Sequence, residues 1–567
     1  MKTNPIMPCL LCLLMAAFAT FYSPPGKAQN TSNLKQIADT LFQEYDNKQT
    51  PGGAVMVIRN GEVIYQNAFG MANITHNIPF QLHTPTNIGS TSKQFTAFAI
   101  AMLEEQGLLS VHDDIRKHIP ELPDFGDTVR LWHLLSHTSG YREYINSLLM
   151  SGRQMSDEIR TEEIIPLIQH QPALQNLPGE LYNYNNTGYH LLSVVIERVT
   201  NQDFSEWTKE NIFLPIGMQN TLVKTHRGQI IPGSAQGYLK NDEGDFMEVM
   251  DIPASRGAGG IYSTLPDLKK WVNHFSAPKI VNEALIEKIT TPFQLLDGDT
   301  MSYAYGLILG QLNGLKRIGH GGADIAHRSS FIIFPEHQGA VITQSNNSDF
   351  SGQMAVQLAE MFFADVMDLP EEETKSPSNE GEFVYDPEKF DELAGRYELE
   401  AAPGFILEFR REEDKLITQA TGQGSVEIFA SSDSTFYLTV VNASVTFHRN
   451  QEGVVDHITL HQNGDHRANR IYEPAWNPSP EDIQMYMGIY FSRELEAFYT
   501  IASNGKDELV VRHRRFDDIP LKAESKDEFS ATFPLPSLTF LRNQEGVVTG
   551  FEASSGRSKG ILFEKQE

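Results

Sequence analysis

Three short clusters stand out by residue type and spacing. The first is Ser90-x-x-Lys93, within Asn87-Ile-Gly-Ser90-Thr-Ser-Lys93, and it runs straight into an apolar stretch ending near Leu103. The second is Tyr184-x-Asn186, in a loop from Pro178-Gly179 that enters a helical pattern. The third is Arg317-Ile-Gly-His320-Gly-Gly322-Ala323, which leads into strand-like sequence. A serine hydroxyl attacks a carbonyl carbon when a neighbouring base accepts its proton. Residues three apart on a helix share a face, so Lys93 is expected beside Ser90. A hydroxyl at a helix N-terminus also meets a positive dipole and free backbone N–H groups. An ammonium held there in apolar surroundings is driven toward neutrality and becomes able to take the proton.

Serine and lysine at this spacing also describe a capping serine followed by a surface lysine. Company separates the two readings. Ser90/Lys93, Tyr184/Asn186 and His320/Gly322 occur in the chain order of the serine β-lactamase and penicillin-binding family. The chain resembles its class C, D-Ala-D-Ala carboxypeptidase and esterase branch over about residues 35–365. Leu134-Leu-Ser-His137-Thr-Ser-Gly140 and Gly257-Ala-Gly-Gly260-Ile-Tyr-Ser263-Thr264 agree with that likeness. The resemblance implies that Ser90 forms an acyl-enzyme and that Lys93 and Tyr184 share the proton handling, with either able to serve as the acylation base. It implies that Asn186 orients the substrate amide or the lysine. Backbone N–H groups of Ser90 and Ala323 would form the oxyanion hole, and Gly322 would let substrate approach the main chain.

His320 departs from typical β-lactamases, which carry lysine there. An imidazole is mostly neutral near pH 7, so capture of a carboxylate by permanent charge is weakened. Peptidase and esterase relatives also use histidine at this position, so the expected enzyme is a serine peptidase or esterase, with β-lactamase as the alternative. A catalytically silent sensor or binding protein is the alternative from another class. A further departure is Ala326-His327 after the third cluster, where relatives often carry Gly-Phe; His327 is expected on a solvent-facing loop. His133 and His137 are expected to be structural. The mechanism requires no cofactor and no metal.

These residues must be held by a framework. Ala54-Val-Met-Val-Ile58 and Val63-Ile-Tyr65 flank Asn60-Gly61, a β-hairpin signal. Helical runs follow at 94–106 and 187–200, and strand-like runs return at 329–334 and 339–344. The expected fold class is α+β, a β-lactamase/transpeptidase-like domain of antiparallel sheet flanked by helices with a helical subdomain, over residues 30–365. Residues 366–392 hold ten acidic and two basic residues and three prolines, and 366–386 are expected to be an exposed acidic linker. Beyond it, Phe447-His-Arg-Asn-Gln-Glu-Gly-Val-Val455 recurs 93 residues later as Phe540-Leu-Arg-Asn-Gln-Glu-Gly-Val-Val548. Gly395-Arg-Tyr397 maps onto Gly488-Ile-Tyr490 at the same offset. Two small antiparallel β-barrel-like domains are therefore expected at 387–473 and 480–566. They resemble the lipocalin-like barrels appended to some members of this hydrolase branch.

Composition bounds the rest. The 567 residues carry 45 Lys+Arg against 73 Asp+Glu, a formal charge of −28. That balance argues against a nucleic-acid partner and leaves a small-molecule or peptide substrate. Lys2 followed by an apolar run from about Ile6 to Tyr22 and ending near Ala28 reads as a signal peptide, residues 1–28. Both cysteines, Cys9 and Cys12, lie inside it, so the mature protein would have none. Export to the periplasm or secretion follows, with no membrane span after the leader is removed. The oligomeric state is left open.

Overall fold

Asn60 and Gly61 both take positive φ, 52° and 76°, as a two-residue type I′ turn demands. They join strand β1 (Gly53–Arg59) to β2 (Glu62–Phe69). The computed structural model describes residues 25–566 except 242, 252–255, 369–384, 401–404, 421–424, 439–442, 463–464, 472–475, 477 and 506–507. Most of the expected leader and acidic linker, and the Asn463-Gly464 turn, lie outside the described residues.

Five further strands complete the sheet: β3 (Tyr303–Ala304), β4 (Leu307–Leu312), β5 (Leu315–Ala323), β6 (Arg328–Phe334) and β7 (Gly339–Ser345). Their spatial order is β3-β4-β5-β6-β7-β1-β2, antiparallel throughout. The principal helices are α1 (Pro25–Thr40), α2 (Lys93–Glu105), α3 (Tyr144–Met150), α4 (Asn186–Thr200), α5 (Leu265–Ser276) and α6 (Gln353–Phe363).

Strand β1 is an almost unbroken apolar run because both of its faces are covered. Val55 and Val57 pack with Ala38 and Phe42 around α1 and with Leu358 and Phe362 of α6. Ala54, Met56 and Ile58 point the other way, into the core that holds α2, α4 and α5. Side chains alternate with a period of two along a strand, so one segment serves both cores. Helix α2 is buried from Lys93 to Leu103, and the Phe95 ring packs at a tilt 4.4 Å from Trp271 of α5. Truncating a phenylalanine in such a site costs about 3–5 kcal/mol.

The expected α+β class is borne out, and so are the two barrel-like units. Eight strands from Gly395–Leu399 to Asp465–Ile471 close into a barrel, whereas the strands from Gly488–Ser492 to Ser558–Lys565 form a nine-stranded sheet. The second stays open between Ile519–Pro520 and Lys522–Ser525, which follow one another in the chain but do not pair. The 93-residue repeat has a structural meaning. Tyr397 and Tyr490 are fully buried, and each hydroxyl donates to the carbonyl four residues earlier, Leu393 O at 2.9 Å and Tyr486 O at 2.6 Å. Asn450 and Asn543 each accept two backbone N–H groups of the Asn-Gln-Glu-Gly turn, whose glycines have φ of 83° and 79°.

The second barrel docks on the α+β body. Met150 at the end of α3 belongs to the barrel's core, and its carbonyl accepts the Tyr499 hydroxyl at 2.9 Å. Arg142 forms a buried ion pair with Glu494 at 2.5 Å, and Arg515 grips both carboxylate oxygens of Asp157. The first copy carries Ala401 and Gly422 at the positions matching Glu494 and Arg515 by the 93-residue offset. The two copies have thus diverged at their docking residues.

Candidate active site

Gly89–Ser92 form a 3₁₀ turn that passes into α2 at Lys93, so Ser90 sits at the helix entrance. Gly89 has φ +51°, and a β-carbon there would lie 2.7 Å from the Ala323 nitrogen. Gly322 is just as constrained, since a β-carbon would fall 2.0 Å from Ile88 O and 2.3 Å from Ser329 Oγ. The end of β5 and the turn carrying Ser90 therefore touch backbone to backbone. Ser329 Oγ donates to Ile88 O at 2.8 Å and holds the contact from β6.

The Lys93 amine is fully buried and has three oxygens around it: Asn186 Oδ1 at 2.8 Å, Ala258 O at 2.8 Å and Ser90 Oγ at 3.2 Å. Two of these are carbonyl oxygens, which only accept. A neutral amine has two N–H groups for them and keeps one lone pair for the serine hydroxyl. Asn186 is locked in the required orientation because its amide nitrogen donates to Glu143 Oε1 at 2.9 Å. Burial drives the Lys93 amine well below its ordinary range; the Arg557 guanidinium pushes the same way and the Glu143 carboxylate opposes both. Gly306, φ +77°, is needed because a β-carbon would lie 2.6 Å from the Lys93 backbone.

Tyr184 precedes Asn185, whose side chain caps α4 by accepting from Gly188 N. Its phenol is buried and is raised above the ordinary range by desolvation, with the neighbouring Ser90 hydroxyl and Arg557 working against that rise. The hydroxyl lies beside Ser90 without closing a hydrogen bond of ordinary geometry among the described residues. His137 packs at a tilt against the Tyr184 ring, centroids 4.2 Å apart, and its Nδ1 accepts from Asn185 N.

His320 is 5 % exposed. Its Nδ1 donates to Gly321 O at 2.5 Å, so Nε2 accepts from the Tyr303 hydroxyl at 3.1 Å. Burial lowers its pKa to about 3, with Lys93 adding to the effect. Both ring nitrogens are engaged and the ring is neutral, so it offers substrate no permanent charge. Ala323 and Gly321 are exposed at the end of β5.

His327 corrects the expectation of a solvent-facing loop. It is 3 % exposed, lies 3.9 Å from Asp324 and packs edge-on against Tyr262. The tight return from β5 to β6 turns it inward. His133 is structural: its Nδ1 accepts from Arg130 N at the start of a short helix, Leu131–Leu135.

The residues that sequence reasoning missed come from distant segments. Glu143 orients Asn186, Ala258 supplies the backbone acceptor for Lys93, and Tyr303 holds His320. Arg557, on a hairpin of the second barrel, places its guanidinium 5.2 Å from the Tyr184 ring centre. The Leu134–Gly140 and Gly257–Thr264 signatures lie near the first two of these, whereas no motif marks Arg557.

Residues 38–362 match the beta-lactamase family, and the chain belongs to that family of serine hydrolases. Residues 385–484 match a domain of unknown function, DUF3471. Penicillin-binding protein 4* of Bacillus subtilis is 26% identical over 454 residues, covering 77% of this chain and 99% of its own length. The D-aminopeptidase of Gluconobacter oxydans is 26% identical over 328 residues, covering 58% of this chain and 62% of its own length. In fold, the octameric penicillin-binding protein homologue from Pyrococcus abyssi superposes with a TM-score of 0.53 at 24% identity, over 77% of this chain and 99% of that one. No helix among the described residues is long and apolar enough to cross a membrane.

Proposed function

We propose that this chain is an exported peptidase- or esterase-like hydrolase that cleaves an amide or ester through an acyl-Ser90 intermediate. The observation that carries the reading is the environment of Lys93. Its Nζ faces the oxygens of Asn186, Ala258 and Ser90, and burial drives it toward the neutral form that can take the serine proton. On this reading Lys93 is the acylation base. Ser90 Oγ attacks the carbonyl carbon as its proton passes to Lys93, and the oxyanion is held by the N–H groups of Ser90 and Ala323. Tyr184, kept a protonated phenol by burial, is placed to hand a proton to the departing amine or alkoxide. Water then releases the acyl group by the reverse relay.

A neutral, fully engaged His320 points away from an efficient β-lactamase and toward peptidase or ester chemistry. Similarity to D-aminopeptidases and penicillin-binding proteins supports D-amino-acid peptides as the first substrates to try. A fluorophosphonate probe is expected to label wild type and leave Ser90→Ala unlabelled; labelling that survives the substitution sinks the reading. Nitrocefin, a D-Ala-D-Ala peptide and short esters assayed side by side then rank the substrate classes.

Export rests on the basic and apolar N-terminal segment. A cut after Ala28 would remove the first turn of α1 and keep Ala38 and Phe42, which fill the core. Mass spectrometry of the N-terminus in the extracytoplasmic fraction tests it. Full-length protein confined to the cytoplasm would refute it.

A further inference from the structure

The Gly556-Arg557 turn joins strands Val548–Ser555 and Ser558–Lys565 of the second barrel. Its backbone is held by the catalytic body on several sides. Arg557 N donates to Asn146 Oδ1 at 3.3 Å, and Arg557 O accepts from Gln175 Nε2 at 3.1 Å and Asn183 Nδ2 at 3.2 Å. Next door, Ser558 Oγ donates to Glu143 O at 2.9 Å, and Arg142 reaches Gly560 O at 3.2 Å. The side chain is treated differently. Among the described residues the guanidinium forms no ion pair or side-chain hydrogen bond, although it is half-buried against the Tyr184 ring. Lys93 Nζ lies over the same ring at 4.8 Å.

A half-buried guanidinium with no counter-ion carries a desolvation cost that a bound anion would offset. A guanidinium presents a planar fork of donors that matches a carboxylate in bidentate geometry. His320, the β5 side chain at the site, offers no such charge, because it is neutral and both its nitrogens are engaged. The first barrel carries Gly464 at the position matching Arg557, so the cation belongs to the copy that docks on the site. We propose that Arg557 is a specificity-determining residue that binds a substrate carboxylate close to the scissile bond, so that the second barrel completes the substrate site of the first domain. The proposal rests on the acyl-Ser90 reading above. It gives the barrel a direct role in choosing anionic over neutral substrates.

The test uses the full chain and two esters with the same acyl group, one leaving as 3-hydroxybenzoate and the other as 3-hydroxybenzamide. They differ only in the charge of the leaving group. Wild type is expected to favour the carboxylate, and Arg557→Gln is expected to lower the ratio of kcat/KM, carboxylate over carboxamide, by at least tenfold, mainly through KM. Arg557→Lys should restore part of that ratio, because the charge returns without the fork. A ratio within about twofold of wild type in Arg557→Gln, with the melting temperature unchanged, overturns the proposal. Fluorophosphonate labelling of Ser90 in the same preparations separates the two readings. Labelled protein with an unchanged ratio removes only the role of Arg557, whereas wild type that resists labelling removes the acyl-serine reading itself.

Discussion

Lys93 and Glu143 are joined through a single amide: Asn186 takes the Lys93 amine on its oxygen and gives its nitrogen to the Glu143 carboxylate. The relay fixes which way Asn186 faces and sets opposing influences on the Lys93 amine. Glu143 raises the Lys93 pKa, while burial and Arg557 lower it.

A pH prediction follows with a definite sign. With Lys93 as the proposed base, the active form carries it neutral, so activity is expected to rise as pH climbs through the Lys93 pKa and to be lost below it. Glu143→Gln removes the influence that raises this pKa, so the acidic limb of kcat/KM should move to lower pH. Arg557→Gln removes one that lowers it, so the limb should move to higher pH. The profiles are to be measured with a neutral ester. Shifts of the same sign in both variants would refute the assignment of Lys93 as base.

The imidazole of His320 is expected to stay neutral throughout the range from pH 5 to 8, because its folded pKa is about 3. Nitrogen-15 NMR of the ring checks this, and a midpoint near 6.5 contradicts it. The same shift has a consequence for stability. A histidine with a folded pKa below its unfolded value contributes fully above about pH 6.5. That contribution is lost as pH falls toward the folded value, since only the unfolded state takes up the proton. His133 and His190, also lowered to about 3, act in the same direction, so unfolding free energy should decline from about pH 6.5 downward.

Gly322→Ala should reduce kcat/KM by about a hundredfold, the scale expected when reacting groups move by about 1 Å. The new methyl would push β5 off the turn bearing Ser90, because Ile88 O stands 2.0 Å from the β-carbon position. Gly310→Ala, on neighbouring β4 with open space around it, is the control and should change little.

The docking interface should respond unevenly. Glu494→Ala strands a buried Arg142 charge and is expected to cost on the order of 3–5 kcal/mol. Asp157→Ala breaks a more exposed pair with Arg515 and should cost about 1 kcal/mol or less. Denaturant titrations of both variants check the ranking. Equal losses would show that the Arg142–Glu494 pair is not what couples the barrel to the body.

Much of the framework could be read from the chain because the determining interactions are local. Asn60-Gly61 sets a hairpin, and three residues of helix put Lys93 Nζ 3.2 Å from Ser90 Oγ. The 93-residue repeat likewise reports two copies of one turn, since Asn450 and Asn543 organise their own neighbouring residues. What stayed hidden depends on chain segments far apart in sequence. Burial is a property of the assembled layers, so His327, expected at the surface, is enclosed by Tyr262 and Asp324. Glu143 and Ala258 meet Lys93 only after α2, α4 and their flanking loops pack.

Arg557 is the extreme case. Nothing local distinguishes it from any charged residue at a hairpin tip, and it reaches Tyr184 only because Glu494, Arg515 and Met150 dock one barrel on the body. The sequence by itself determined the local geometry of Ser90 and Lys93, the order of the elements and the duplication, all set by neighbours within a few residues or by periodicity. The desolvation of Lys93, the orientation of Asn186 and the placing of Arg557 against Tyr184 were decided by tertiary structure alone, since burial and long-range electrostatics exist only once distant segments enclose the same small volume.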